Sequence, residues 1–258
     1  MRIFLFGGLI SYRALFHFLH PAIFIPTLIV VPIFQILLFA YIGRSAGVES
    51  DEFYVIGNAI HNASLPCIWA MVQAIAGERF QQTLGYVLGS PAPRIPLFLG
   101  RALPVVLNGF VISIFALLVG GAILGVTFSL ATLGSIALVT VVSAFACTGI
   151  GLVLAALGLV IREISILNNL LFGFLLVFTG ANVPIDALPQ FFQVLSHGLP
   201  LRHGIEAARE LAGGATLGHV GGLVAAEAVV GLVYGLLGFS MLRAFEALSR
   251  RRATLELV

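Results

Sequence analysis

Residues 102–125 read ALPVVLNGFVISIFALLVGGAILG, a run without a charged residue that is long enough to cross a lipid bilayer. A transmembrane helix needs about 20 consecutive, mainly apolar residues. A second run of this kind occupies residues 131–160, and the connection between the two runs is short and uncharged. The pair therefore predicts two membrane-spanning helices joined by a tight turn.

The composition of the whole chain agrees with a membrane protein. Of its 258 residues, 60% are hydrophobic and 9% are charged, and the mean hydropathy is +1.11. A soluble domain usually carries roughly 25% charged residues, which cover its water-facing surface. The hydrocarbon of a bilayer solvates the apolar excess instead, and helices satisfy their own backbone there. We predict an all-α, polytopic membrane protein that forms a single domain over residues 1–258.

The apolar runs predict six transmembrane helices. They lie at about residues 22–43, 53–77, 97–125, 131–160, 164–183 and 219–242. Residues 1–20 mix arginine and histidine with phenylalanine and leucine, which fits either an amphipathic interfacial helix or the cytoplasmic end of a long first helix. The connection at 184–218 holds two short helical pieces separated by Gly198 and Pro200.

The arginines predict the orientation, because positive residues accumulate on the cytoplasmic side. With six spans, ten arginines fall on the side of both termini, and three (Arg44, Arg202 and Arg209) fall on the other side. Both termini and segment 78–101 are therefore expected in the cytoplasm, and 184–218 outside, in what we take to be the inner membrane of a bacterium.

Several function classes are disfavoured by the residues present. All thirteen basic residues are arginines, so the chain lacks the lysine of a phosphate-binding loop and is not expected to hydrolyse ATP by that mechanism. A net charge of +2 gives no support for nucleic-acid binding. Cys67 and Cys147 lie in apolar runs, and the histidines show no metal-like spacing with them. We therefore predict no catalytic residues, no metal and no cofactor in this chain.

Polar residues inside the predicted spans are candidates for a substrate pathway, since they are costly in a bilayer. The candidates are Gln35, Asn58, His61, Asn62, Asn168, Asn169 and Glu227. Bonds between helices are the alternative role for each of the amides. Glu227 is the only carboxylate well inside a span; it could pair with Arg202 or Arg209, line a wet cavity, or bind a cationic substrate.

The most informative segment, residues 77–94, reads GERFQQTLGYVLGSPAPR. Residues 78–88 can form a short helix, because Phe80, Leu84 and Leu88 recur on one face. Gly89 and the following Ser90-Pro91 are typical of a helix end. The pattern predicts a short amphipathic helix at the cytoplasmic surface.

This segment resembles the coupling helix of the ABC transporter type-2 permease family, which follows the second span. The matching residues are Glu78, Arg79, Thr83, Leu84, Leu88, Ser90, Pro91 and Arg94. Gln82 departs from the pattern, since a glycine often precedes the threonine. A second match follows the fifth span, in Gly180, Pro184, Leu188, Pro189, Leu199, Pro200 and Leu201; the family folds this region into short helices that dip into the outer leaflet.

The resemblance implies a permease subunit of an ATP-driven exporter. In the family, residues 78–94 would sit in a groove of a separate ATPase subunit, which binds ATP and Mg²⁺. A second permease, identical or homologous, would complete the complex and form an interface with this chain. The resemblance leaves open whether the cargo is a drug-like or natural product, a lipid or a lipid-linked glycan; the apolar spans favour an amphipathic or hydrophobic small molecule.

Two other classes are alternatives. An intramembrane enzyme needs converging carboxylates, a metal set or a nucleophile–base pair, and the sequence shows no such cluster. An ion-coupled secondary transporter often shows matched internal repeats and several buried charges, whereas this chain shows one candidate charge and no evident repeat.

Overall fold

The computed structural model describes residues 26–80, 94–161 and 163–252. Over these ranges the chain is helical, without a β-strand. The α-helices are α1 (Val31–Ala46), α2 (Asp51–His61), α3 (Ser64–Phe80), α4 (Arg94–Leu124), α5 (Leu130–Leu157), α6 (Ile164–Phe178), α7 (Gln190–Ser196), α8 (Arg202–Ala212) and α9 (Gly221–Arg252). A π-helical turn, Pro26–Val30, precedes α1, and a 3₁₀ turn, Ile185–Ala187, precedes α7.

Four helical segments of the described chain are long and apolar enough to cross a membrane. They are Asp51–Ala74, Pro104–Leu124, Leu130–Leu157 and Gly221–Phe245. The first and fifth predicted spans correspond to α1 and α6, which are apolar but have only 16 and 15 residues. A straight crossing needs about 20 residues, so the number of six spans stays a prediction.

The second span is broken into α2 and α3 at residues 62 and 63. Pro66 explains the position of the break. A proline lacks the N–H that would bond the carbonyl four residues earlier, and its ring crowds that carbonyl. In a continuous helix this carbonyl would belong to Asn62, which instead ends α2 as its C-cap. At the same turn, the Ser64 hydroxyl donates to the His61 carbonyl at 2.6 Å.

Helix α5 forms the centre of the bundle, with α9 on one side and α3 on another. Small residues allow the closest approach. A Cβ atom added at Gly149 would lie 2.6 Å from the Gly231 carbonyl oxygen, and one added at Gly231 would lie 2.8 Å from the Ala146 Cα. The glycines of α5 and α9 therefore bring the two backbones into direct contact.

Successive spans run in opposite directions through the bundle, so α2, α5 and α9 all begin at the same end. Helix α8 packs on these three helices at that end, which we call the α8 end. Helix α8 starts at a strained residue, because Leu201 has a φ of 75°. The side chain of Leu201 is fully buried, and α8 packs against α2, α5 and α9. The packing of α8 on three other helices fixes its position over this end.

Two predicted boundaries differ from the structure. Helix α3 continues through Phe80, so Glu78 and Arg79 end the second span rather than begin a separate helix. Arg94 is the first residue of α4 instead of the end of the preceding segment. The remainder of the predicted coupling helix (81–88) and the predicted interfacial helix (1–20) lie outside the described residues.

Candidate functional site

A buried cluster of polar side chains joins α1 to α2. Gln35 Nε2 donates to Asn58 Oδ1 at 3.0 Å and lies 3.3 Å from His61 Nδ1. The His61 ring packs against Phe172 of α6, with 4.6 Å between the ring centroids. Three of the predicted pathway residues therefore come together, and they connect three helices.

Asn182 completes this cluster, although the sequence analysis did not single it out. Asn58 Nδ2 donates to the Asn182 Oδ1 at 2.7 Å and to the Tyr54 carbonyl at 2.9 Å. Every hydrogen-bonding atom of the Asn58 amide group is thus paired. The available signal was the position of Asn182 at the end of the predicted fifth span, between Gly180 and Pro184.

The exposure of the candidates separates them into two groups. Asn58 and His61 are 0% exposed, and Asn62 and Asn168 are 4% exposed. Gln35 is half-buried, and Asn169 is exposed. Most of the cluster therefore bonds helices together inside this subunit, and of the amides on α1 and α6 only Gln35 and Asn169 reach the surface.

Glu227, the carboxylate inside α9, binds the start of α8. Its Oε1 accepts from the Leu201 N–H at 2.6 Å, and its Oε2 accepts from the Gly204 N–H at 3.1 Å. The first amides of a helix have no partner within the helix, and its start carries a partial positive charge. A fully buried carboxylate satisfies both requirements at once, so Glu227 anchors α8 to α9.

Of the three roles considered for Glu227, an ion pair with Arg202 or Arg209 is not the one that the structure shows. Arg202 bonds Glu206 at 2.5 Å within its own helix. Arg209 lies in the last turn of α8, whereas Glu227 holds the first turn. The α8 backbone supplies the donors that the arginines were expected to provide.

Arg209 ties the other end of α8 to α2 and to the turn after α6. Its Nη2 donates to the carbonyls of Phe53 (3.1 Å) and Ala181 (3.3 Å), and its guanidinium lies 3.5 Å from the Phe53 ring centroid. Burial lowers the pKa of Arg209 to about 9, so the group stays charged at neutral pH. Gly57 is required here, because a Cβ atom would collide with the Ala181 oxygen and lie 2.7 Å from Nη2.

An apolar groove of about 490 Å³ runs along α1. Its lining residues are Phe34, Leu37, Leu38, Tyr41, Ile42 and Ser45. Phe34 is 68% exposed, which is typical of a side chain that faces lipid or another apolar molecule. The groove offers apolar contact and almost no hydrogen-bonding groups.

The predicted ATPase-contact residues are placed only in part. Glu78 and Arg79 fall in the last turn of α3, and Arg94 begins α4. Gln82, Thr83, Leu84, Leu88, Ser90 and Pro91 lie outside the described residues. Because α3 ends and α4 begins at the same end of the bundle, segment 81–93 connects two spans at the end opposite α8.

A comparison with protein families identifies the chain. Residues 10–212 match the family model described as ABC-2 type transporter, which covers more than three quarters of the sequence. The chain belongs to the ABC-2 type transporter family. The matching region includes α1 to α8 and ends with the last residue of α8. A search of curated proteins gives no match.

Membership defines the general role of this ABC-2 permease. The family model is that of the transmembrane part of an ABC transporter, not of a nucleotide-binding domain. The chain is therefore a membrane-embedded transport subunit. The motif in residues 77–94 and the family model, which matches residues 10–212, indicate the same family.

Proposed function

We propose that this ABC-2 permease exports an amphipathic or hydrophobic small molecule, in a complex of two permease subunits and two ATPase subunits. The observation that carries the proposal is the segment Glu78–Arg94. It joins two membrane spans at the end opposite α8 and carries the sequence that resembles a coupling helix. ATP and Mg²⁺ would bind the partner ATPase, and this chain would position substrate and transmit force without covalent chemistry.

The proposed topology has six spans with both termini in the cytoplasm of a bacterial cell. Helices α1 and α6 supply the two shorter spans, and local thinning of the bilayer or the residues beside them can compensate for their length. The excess of arginine on the side of segment 78–101 supports the orientation. In this arrangement the α8 end faces outward.

The direct connection between α3 and segment 81–93 supports force transmission. A helix is stiff over the length of a span, so a displacement at Phe80 moves the rest of α3. Helix α3 packs against the central helix α5, which in turn packs against α9. Movement that an ATPase imposes on this segment would therefore reach the middle of the bundle.

The surfaces of α1 and α6 support an apolar or amphipathic cargo. The groove on α1 is apolar, and the surface of α6 presents Ile166 and Leu170 beside Asn169. A glycan needs many hydrogen-bonding partners along its path, whereas the groove on α1 offers almost none. A lipid would also fit an apolar wall, so lipids are the second cargo class to test.

The test combines Leu84→Ala with Glu78→Ala. Burying one leucine in a partner groove is worth roughly 1.5–3 kcal/mol, so its loss alone should weaken the ATPase contact about tenfold or more. The ATPase that co-purifies with the wild-type chain from its native membrane is identified first. Its affinity for the permease, its ATP turnover in the complex and substrate binding are then measured for the variant.

A matched control removes the same side chains at the α8 end. Leu130, 88% exposed, and Glu210 are both changed to alanine. We expect the control complex to behave like the wild type, and the test variant to lose the ATPase or its coupling while it retains substrate binding. Normal recovery, turnover and transport in the test variant would disprove the role of this segment.

A further inference from the structure

The two halves of the second span both pack against α4 but differ in their other partners. Helix α2 contacts α1, α4 and α8, whereas α3 contacts chiefly α5 and, to a lesser extent, α4 and α6. Few contacts join α2 directly to α3. The break at residues 62 and 63 therefore coincides with a change of the packing partners other than α4.

Directional bonds fix α2 on both sides. Asn58 joins it to α1 and to Asn182, and Arg209 joins its first turn to α8. The Tyr54 ring also closes over Gly43 of α1, where a Cβ atom would collide with it. Helix α2 thus forms one unit with α8, and Glu227 extends this unit to the start of α9.

Bonding is weaker immediately below the break. Within the described residues, Asn62 Nδ2 and Asn168 Oδ1 are buried without a hydrogen-bond partner. The Cys67 N–H reaches the Ala63 carbonyl only at 3.4 Å, and Pro66 contributes no donor. The side chain of Asn58, one turn before the break, is thus fully paired, whereas the Asn62 side chain at the break has an unpaired Nδ2.

We propose that residues 61–66 form a hinge, at which α3 bends relative to a fixed unit of α2, α8 and the first turns of α9. The break leaves carbonyls of α2 and amides of α3 without the bonds that would hold a continuous helix, so a change of angle costs little there. The proposal rests on the proposed function for the source of movement, because the ATPase acts on the end of α3.

Hydrogen exchange of the permease alone tests the hinge without an ATPase. We expect the amides of Ser64 and Leu65 to exchange about tenfold faster than those of residues 55–60, the difference that one or two absent helix bonds produce. The Ala63 N–H bonds the Ile60 carbonyl at 3.0 Å and is left out of the comparison. Pro66→Ala restores a donor for the Asn62 carbonyl, so exchange at Ser64 and Leu65 should become slow. Equal protection of both stretches in the wild type would overturn the hinge.

Pro104→Ala is the matched control, because Pro104 lies inside the unbroken helix α4. It removes the same ring from a span without a break, so the exchange at Ser64 and Leu65 should not change. If both variants slow amide exchange at the break to a similar extent, the hinge is contradicted. The slower exchange would then come from a general rigidification of the protein and not from closure of this break.

Spin-label distances in the complex with the ATPase test the movement itself. One label replaces Glu210 on α8, and the second replaces either Trp69, which is 41% exposed on α3, or Glu52 on α2. In complexes with one labelled permease, ATP should shift the 69–210 distance and leave the 52–210 distance unchanged. Pro66→Ala should abolish the shift, whereas Pro104→Ala should retain it.

The outcomes distinguish the two proposals. If both distances shift together, or if Pro66→Ala moves like the wild type, the hinge is disproved while the ATPase coupling stands. If ATP shifts neither distance in a complex that hydrolyses ATP, the proposed coupling through α3 fails. In that case the exchange measurement still decides whether the break opens by itself.

Discussion

The α8 end and the α5–α9 seam hold together by different forces. At the α8 end, buried Glu227 and Arg209 bond backbone groups of neighbouring elements. Along the seam, Gly149 and Gly231 bring two backbones into contact through shape alone. A buried polar bond is directional and costs free energy when it is broken, because the orphaned group stays desolvated. Contact between small residues is nondirectional, and its loss depends on the volume that is added.

The two kinds of contact respond differently to a displacement of the helices. The hydrogen bonds at the α8 end form only when donor and acceptor are aligned, so this region favours one geometry. At the seam, the contact depends on the volume of the facing residues and not on a bond of fixed direction. We therefore expect substitutions at the α8 end to destabilise the protein more than a single added methyl group at the seam does.

The largest effect is expected for Glu227→Leu. The variant leaves the Leu201 and Gly204 amides buried without an acceptor, which lowers the free energy of unfolding by about 3 kcal/mol, at roughly 1–3 kcal/mol per lost partner. Glu227→Gln keeps one acceptor oxygen and should lose about half of this. Unfolding in detergent, followed by circular dichroism, measures the difference. If Glu227→Leu is as stable as the wild type, the anchor is dispensable.

Arg209→Met should have the next largest effect. The carbonyls of Phe53 and Ala181 lose their donor and the Phe53 ring loses its cation, which together cost about 2 kcal/mol. Arg202→Met is the matched control, because Arg202 pairs within its own helix, and such pairs are worth only about 0.3–0.5 kcal/mol. The same unfolding measurement applies. Equal losses of stability in the two variants would show that bonds between elements stabilise the protein no more than the pair within α8 does.

The smallest effect is expected at the seam. In Gly231→Ala the new methyl group would lie 2.8 Å from the Ala146 Cα, so the helices must separate slightly, at a cost of about 1 kcal/mol. Gly235→Ala, one turn later, meets nothing within 4 Å and should be neutral or stabilising by about 0.5 kcal/mol. If Gly231→Ala is more harmful than Glu227→Leu, the ranking of the two regions is reversed.

Parts of the candidate site were accessible from sequence patterns. A carboxylate inside an apolar run marks Glu227 as special, because an unpartnered charge in a bilayer is costly. Clustered amides in the second span likewise indicated polar contacts between helices. Their partners could not be predicted, since Asn58 bonds a residue 124 positions away and Glu227 bonds backbone amides, which every residue except proline carries.

Span length and apolar composition are local properties, and the motifs lie close together in the chain, so the residues alone predict a helical membrane protein of the ABC-2 type. Which polar residues are sealed inside the subunit and which reach its surface depends on how the helices pack. Pro66 signals a possible break, but only the packing of α2 on α8 and of α3 on α5 shows what the break separates. Contacts between residues distant in the chain depend on how the helices pack, and local patterns carry little information about that packing.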